Sequence, residues 1–310
     1  MADYSNMMKL NSVDKDLEHL IYELENACME ISICLKKNTP NQLAENVNID
    51  GDSGHNINFS GDTQKRADII ANSIIKKHLL KCDSVHSYCS EEDEHFTKVV
   101  KHSKGKYYVC FDPLDGSQNL SLGLSVGSIF GIYEGEYIPY NKPPIVAAAY
   151  CLYGYQPQFV YVTNKILIIK SLIEPMHITT SCIKCPLNKR NVVYCANFKA
   201  LTNIKNNPYR MEHSKIMCST KITQRWTGCM VSDCHRLITN GGIFAYPSDS
   251  DGTKGKLRLL YECIPFAYIM TEIGGFATDS NNNNILETPL PHLNNIHLKI
   301  GFFCGTGKYI

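Results

Sequence analysis

Phe111-Asp112-Pro113-Leu114-Asp115-Gly116-Ser117 is the stretch on which the reading of this chain turns. The apolar run from Tyr107 to Phe111 predicts a strand, and it ends in two carboxylates three residues apart followed by a glycine. Asp112 and Asp115 are expected to face one point, where with the Leu114 carbonyl they offer the oxygen donors that a hard cation such as Mg²⁺ prefers. Gly116 and Ser117 expose backbone N–H groups, and their small side chains let a phosphate approach closely. Taken alone, the seven residues fit an ordinary type I turn equally well, since Asp, Pro and Gly are common turn formers.

Other acidic groups tip the balance. Ser90-Glu91-Glu92-Asp93-Glu94 places four carboxylates in a row just upstream, and Asp62 and Asp68 lie at the start of a predicted helix. Each has a plain alternative: acidic runs are usually solvated faces, and Asp62 suits a helix N-cap. Further out, Leu17, Leu20, Ile21, Leu24, Ala27, Cys28, Ile31 and Leu35 recur at helical spacing up to Thr39-Pro40. Residues 38–60 read as a loop, and a second helix is expected from near Asp62 through Leu79. Strand patterns at Ser125 to Tyr133, Ile145 to Tyr153 and Phe159 to Val162, with helices before and after, give a mixed α/β layout.

At 310 residues the chain suits two domains of roughly 100–200 residues each. A polar stretch around 174–190 puts the expected boundary between 1–186 and 187–310. The formal net charge of +1 provides no global field to draw the chain to nucleic acid or an anionic membrane. Neither a signal pattern nor an apolar run of about 20 residues is found, so a cytoplasmic protein without membrane spans is expected. The 14 cysteines are scattered, which favours reduced, buried thiols, and the lone Cys182/Cys185 pair is read as packing rather than a zinc site.

Eight segments in order, GDTQKRAD (61–68), SEED (90–93), GKYYVCFDPLDGS (105–117), VGSIFGIY (126–133), RWTGCMVSD (225–233), GGIFAYP (241–247), GKLRLLYE (255–262) and GGFATD (274–279), resemble the fructose-1,6-bisphosphatase and sedoheptulose-1,7-bisphosphatase group of the magnesium-dependent, lithium-sensitive phosphatases. The resemblance runs from about residue 16 to the C-terminus. It implies a layered α/β/α/β/α sandwich of two domains, assembled as a homodimer or homotetramer. It further implies that Glu91, Asp112, Asp115, Glu262 and the Leu114 carbonyl bind two or more Mg²⁺, with Mn²⁺ as a substitute and Asp62 at a further metal position. Asp68 and Glu92 would polarise the attacking water. Asp115, Gly116 and Ser117 would surround the scissile phosphate.

Asn197, Lys199, Arg225, Trp226, Tyr246 and Lys256 match positions that hold the sugar and its distal phosphate. Plain readings exist here too, with Lys256 and Arg258 as surface charges and Tyr246 as a packed aromatic; yet a bisphosphate needs cations at its far end, and GKLRLLYE supplies two. The activity implied is Mg²⁺-dependent hydrolysis of the 1-phosphate of a ketose bisphosphate. Asn197-Phe198-Lys199-Ala200 leans towards sedoheptulose-1,7-bisphosphate as substrate. Fructose-1,6-bisphosphate, or both sugars, is the alternative, and a non-catalytic sugar-phosphate-binding paralogue the remote one. Fructose bisphosphatases are also controlled by AMP at the start of the first helix, but Asp14, Lys15, Glu18 and Glu134 replace groups favourable to an anion there, although Lys106 and Tyr107 remain.

Overall fold

The computed structural model describes residues 14–46, 64–173, 178–181, 192–197, 222–248 and 255–306. The first helix, α1 (Lys15–Lys37), follows the predicted periodicity and buries Leu17, Leu20, Leu24, Ala27 and Ile31. The expected loop after it contains a short helix, α2 (Pro40–Ala44). Thr39 caps it in a capping box with Gln42, a threonine-to-glutamine spacing that composition alone hides. The next helix, α3 (Arg66–Leu79), starts later than expected, because the Asp68 carboxylate accepts the Lys65 N–H at 2.7 Å and closes the first turn from within.

Eight strands form the larger sheet: β1 (Val85–Ser90), β2 (Thr97–Lys98), β3 (Tyr107–Asp115), β4 (Val126–Glu134), β5 (Ile145–Tyr153), β6 (Gln158–Thr163), β7 (Ile166–Ser171) and β8 (Ile178–Ser181), in the order β2-β1-β3-β4-β5-β6-β7-β8. Only β1 and β3 pair in parallel. The smaller sheet holds β9 (Val192–Ala196), β10 (Ile222–Gln224), β11 (Ile243–Tyr246), β13 (Phe276–Thr278) and β15 (Phe302–Gly305), in the order β10-β9-β11-β15-β13. A two-stranded ribbon pairs β12 (Leu257–Arg258) with β14 (Lys299–Ile300).

Alternation along β3 sets the layers. Tyr107, Val109 and Phe111 pack with α1 and α3 on one face, whereas Tyr108 and Cys110 share the opposite core with helices α4 (Met230–Asn240) and α5 (Ile264–Glu272). Phe244, Phe302 and Cys304 of the smaller sheet join that second core. The described residues therefore stack as helices, sheet, helices, sheet, with β3 buried on both faces. This is the mixed α/β sandwich expected. Ten of the 11 cysteines among the described residues are buried, and all 11 are free thiols, which fits their reading as small core residues; Cys182 and Cys185 lie outside the described residues.

One polar network ties α1 to α3 under this apolar packing. Buried His78 hydrogen-bonds Glu23 at 2.7 Å and Glu30 at 3.1 Å, and Lys81 adds 3.3 Å to Glu23. Burial raises the Glu23 carboxyl, but the His78 and Lys81 bonds outweigh it and hold it below its ordinary value; Lys77 and then His78 do the same for Glu30. Depressed carboxyls contribute stability that is present above the unfolded value, near 4.5, and lost as pH falls through the folded one. Glu23→Gln should thus lower stability by about 2 kcal/mol at neutral pH. Urea unfolding of both proteins should show the gap narrowing below pH 4.5; a gap independent of pH would contradict the role given to this carboxylate.

Candidate active site

The parallel register of β1 on β3 opposes Ser90 to Phe111, so Glu91 and Asp112 leave the two strands side by side. Glu91 N–H is also held by the Phe111 carbonyl at 3.0 Å. Between Asp112 and Asp115 the pairing of β3 with β4 slips, a bulge that re-aims successive side chains. Glu262 arrives from the other sheet's side on a π-helical turn, Leu259–Cys263, leading into α5. Carboxylate oxygens of Glu91, Asp112 and Glu262, all three residues buried, lie within 4.8 Å of one another.

Such crowding has electrostatic consequences. Burial, then Glu91, Asp115 and Glu262, push the Asp112 carboxyl well above its ordinary value. Burial likewise pushes Glu262 up to about 8, against the pull of Arg258. Arg258 is the residue that the sequence reading missed. Far from being a surface charge, it is buried at the cavity wall, with its guanidinium 2.5 Å from Glu91 and 3.4 Å from Glu262, and its backbone N–H donates to Glu262 at 2.5 Å. The clue available was the i,i+4 spacing of Arg258 and Glu262.

Asp115 lines the same cavity as Asp112, and its charge is among those that raise the Asp112 carboxyl. Its Oδ2 accepts the Val231 N–H at 2.7 Å and the Cys229 thiol at 3.1 Å, at the start of α4. Gly116 follows with φ 75°, in the left-handed region. A Cβ there would lie 2.7 Å from that of Cys229, so both conformation and space call for glycine.

Asp68 is buried, and burial followed by the charge of Glu92 raises its carboxyl well above the usual range. Glu92 accepts a 2.6 Å bond from Gln64. Asp93 is diverted from the site: Lys76 binds it at 2.6 Å and Asn72 at 3.3 Å, which gives this member of the acidic run a structural role.

These groups line one cavity of about 300 Å³. Asp68, Glu91, Glu92, Asp112, Leu114, Asp115, Gly116, Ser117 and Glu262 share it with Asn197, Trp226, Tyr246 and Lys256. Trp226 packs on Phe244 at 5.9 Å and on Tyr246 at 5.7 Å, making an aromatic wall at this second end. Arg225 does not join them: its guanidinium turns to the Gln224 carbonyl at 2.8 Å and the residue is exposed. Asp62 and Lys199 lie outside the described residues. Three buried carboxylates beside the lining residue Leu114 are donors of the hard-oxygen kind, so the residues present fit a small divalent cation.

Residues 5–169 match the family model for the N-terminal domain of fructose-1-6-bisphosphatase, and residues 187–310 match that for its C-terminal domain. The chain belongs to the fructose-1,6-bisphosphatase family. Among its relatives, cytosolic fructose-1,6-bisphosphatase of Brassica napus is 37% identical over 251 residues, covering 76% of this chain and 72% of the relative. Fructose-1,6-bisphosphatase isozyme 2 of Bos taurus is 33% identical over 280 residues, 85% and 79% of the two chains. The holo form of Leishmania major fructose-1,6-bisphosphatase superposes with a TM-score of 0.84 at 27% identity, over 98% of this chain and 94% of that one. The fold is also that of the "Putative Sedoheptulose-1,7 bisphosphatase" of Toxoplasma gondii, with a TM-score of 0.82 at 20% identity over 100% and 96% of the chains.

The start of α1 is already served by protein carboxylates. Asp14 caps it through Asp16 N–H at 2.9 Å and also accepts from Lys106 at 2.9 Å and Tyr107 at 3.1 Å, while Lys106 reaches Asp16 at 3.1 Å. The Lys106 bond, then the Asp16 N–H, keep the Asp14 carboxyl below its ordinary value, so it stays anionic at neutral pH. A nucleotide phosphate would have to displace these groups against like charge. Phosphate release in this family member should therefore be unchanged by micromolar AMP; inhibition that disappears in Lys106→Ala would refute this.

Proposed function

We propose that this chain hydrolyses the 1-phosphate of fructose-1,6-bisphosphate in a Mg²⁺-dependent reaction. The observation that carries the reading is one cavity with a buried carboxylate cluster at one end and Asn197, Trp226, Tyr246 and Lys256 at the other. The sequence leaned towards sedoheptulose-1,7-bisphosphate, but that leaning rested chiefly on the run containing Lys199, outside the described residues, and the curated relatives carry fructose names. The fructose substrate is accordingly the better supported of the two. The carboxylate set, present with the partners described, argues against a non-catalytic paralogue.

In this reading Glu91, Asp112, Glu262, Asp115 and the Leu114 carbonyl hold the cations, with Mn²⁺ an effective substitute. When bound, the metal neutralises phosphoryl charge and makes water a better nucleophile. Gly116 and Ser117 orient the scissile phosphate beside that cluster. Asp68 and Glu92 take the proton of the attacking water, burial and the charge of Glu92 making the Asp68 carboxylate more basic than a free one. Lys256 faces the distal phosphate, and Trp226 and Tyr246 pack against the sugar. Arg258, which also lines the cavity, restrains Glu91 and Glu262. Domains 1–186 and 187–310, a cytoplasmic location and a homodimer or homotetramer complete the proposal; among the described residues no helix is long and apolar enough to cross a membrane.

Phosphate release from fructose-1,6- and sedoheptulose-1,7-bisphosphate, with Mg²⁺ varied, tests it. The fructose substrate should have the higher kcat/KM, and a preference for the seven-carbon sugar would reverse the substrate assignment. Asp112→Asn, which keeps shape but removes the anion, should lower release by about a hundredfold or more while leaving the fold intact. Activity within tenfold of wild type would remove Asp112 from the metal site.

A further inference from the structure

The turn at Asp115 and Gly116 meets the start of helix α4. Two donors converge there on one carboxylate oxygen: Val231 N–H at 2.7 Å and the Cys229 thiol at 3.1 Å both reach Asp115 Oδ2. Cys229 is fully buried and its own place is fixed by several bonds. Its N–H donates to Thr227 Oγ1 at 3.2 Å and its carbonyl accepts the Thr227 hydroxyl at 3.1 Å and the Asp233 N–H at 3.1 Å. Thr227 is tied in turn to Asp233 through its N–H and to Asn119 through its carbonyl, at 3.2 and 3.1 Å. The thiol is thus a donor held in place by a hydrogen-bonded loop.

The opposing side is equally constrained. Gly116 brings the phosphate turn so near that an added Cβ would touch the Cys229 Cβ at 2.7 Å, and Gly127 on β4 lets Val231 approach, since a Cβ there would lie 2.5 Å from its side chain. With Oδ2 engaged by two donors, the rotation of the Asp115 carboxylate is fixed, and its other oxygen is the one left for the cavity that Asp115 lines.

We infer that Cys229 is a positioning residue for Asp115: through its thiol, the start of α4 sets the orientation in which that carboxylate meets the cation and the scissile phosphate. The inference rests on the proposed role of Asp115 in cation binding. A thiol is a weak donor, so its removal should loosen the carboxylate without abolishing the site.

Calorimetric titration of the full chain with Mn²⁺ in the presence of inorganic phosphate tests this, with thermal unfolding measured alongside. Cys229→Ala and Cys229→Val, which differ in volume but both lack the donor, should weaken Mn²⁺ binding about three- to tenfold, and Cys229→Ser should restore it to within about twofold. Losses that follow side-chain volume, with serine behaving like alanine, would overturn the inference. Asp115→Asn separates the two levels of the argument. Weakened binding in that variant together with wild-type binding in Cys229→Ala would defeat the positioning role alone. Unchanged binding in Asp115→Asn would defeat both the ligand reading and the inference built on it.

Discussion

Repulsion among three buried carboxylates is the constraint around which the rest of this molecule is organised. Two unit charges about 4.8 Å apart repel by about 3 kcal/mol at an effective dielectric constant near 20. Three such pairs approach the entire stability of an ordinary domain, about 5–15 kcal/mol. A protein cannot hold Glu91, Asp112 and Glu262 together as free anions without compensation. Arg258 supplies one positive charge between two of them, and the raised carboxyls of Asp112 and Glu262 show that the compensation is incomplete. A divalent cation bound among them would remove the remainder.

Holding such a cluster requires rigid supports from both sheets. The parallel pairing of β1 and β3 fixes Glu91 against Asp112 through backbone bonds alone. Glu262 depends on longer-range ties: the Tyr133 hydroxyl donates to the Leu260 carbonyl at 2.6 Å, and Tyr261 bonds His297 at 2.7 Å, which bonds the Asp93 carbonyl at 3.0 Å. The π-helical turn is therefore pinned to β4 on one side and to the acidic run after β1 on the other. Helices α4 and α5 pack on both sheets, so the layer between them carries the site's second half into register with the first.

Much of this was legible in the chain because it is local. The periodicity of α1, the strands β3 to β6 and the FDPLDGS turn each reside in a short window whose pattern dictates its structure. What escaped depends on partners distant in sequence. Nothing near Arg258 announces that Glu91, more than 160 positions away, would draw its guanidinium into the interior. Asp115 carries the same lesson, since the donors that engage its Oδ2 lie at the start of α4, more than 110 positions away. Asp93 and Glu92 are neighbours with different fates because Lys76 and Asn72 on α3 face only one of them. The helix α2 was missed for the opposite reason: a capping box of two residues outweighed a composition typical of loops.

The two ends of the cavity consequently differ in how freely they can change. At the carboxylate end, positions are set by strand register, a bulge and a glycine with no room for a Cβ, so almost any substitution disturbs the core as well as the cluster. At the opposite end, Trp226 is 38% exposed and rests on Phe244 and Tyr246 through ring contacts, outside the described strands. Side chains on such segments can be exchanged with little effect on stability, while each good polar contact to a substrate is worth about tenfold or more in discrimination. Under the proposed function, hydrolytic capacity and substrate preference would be carried by physically separable parts of one cavity, and a few changes around Trp226 would be enough to move the second without touching the first.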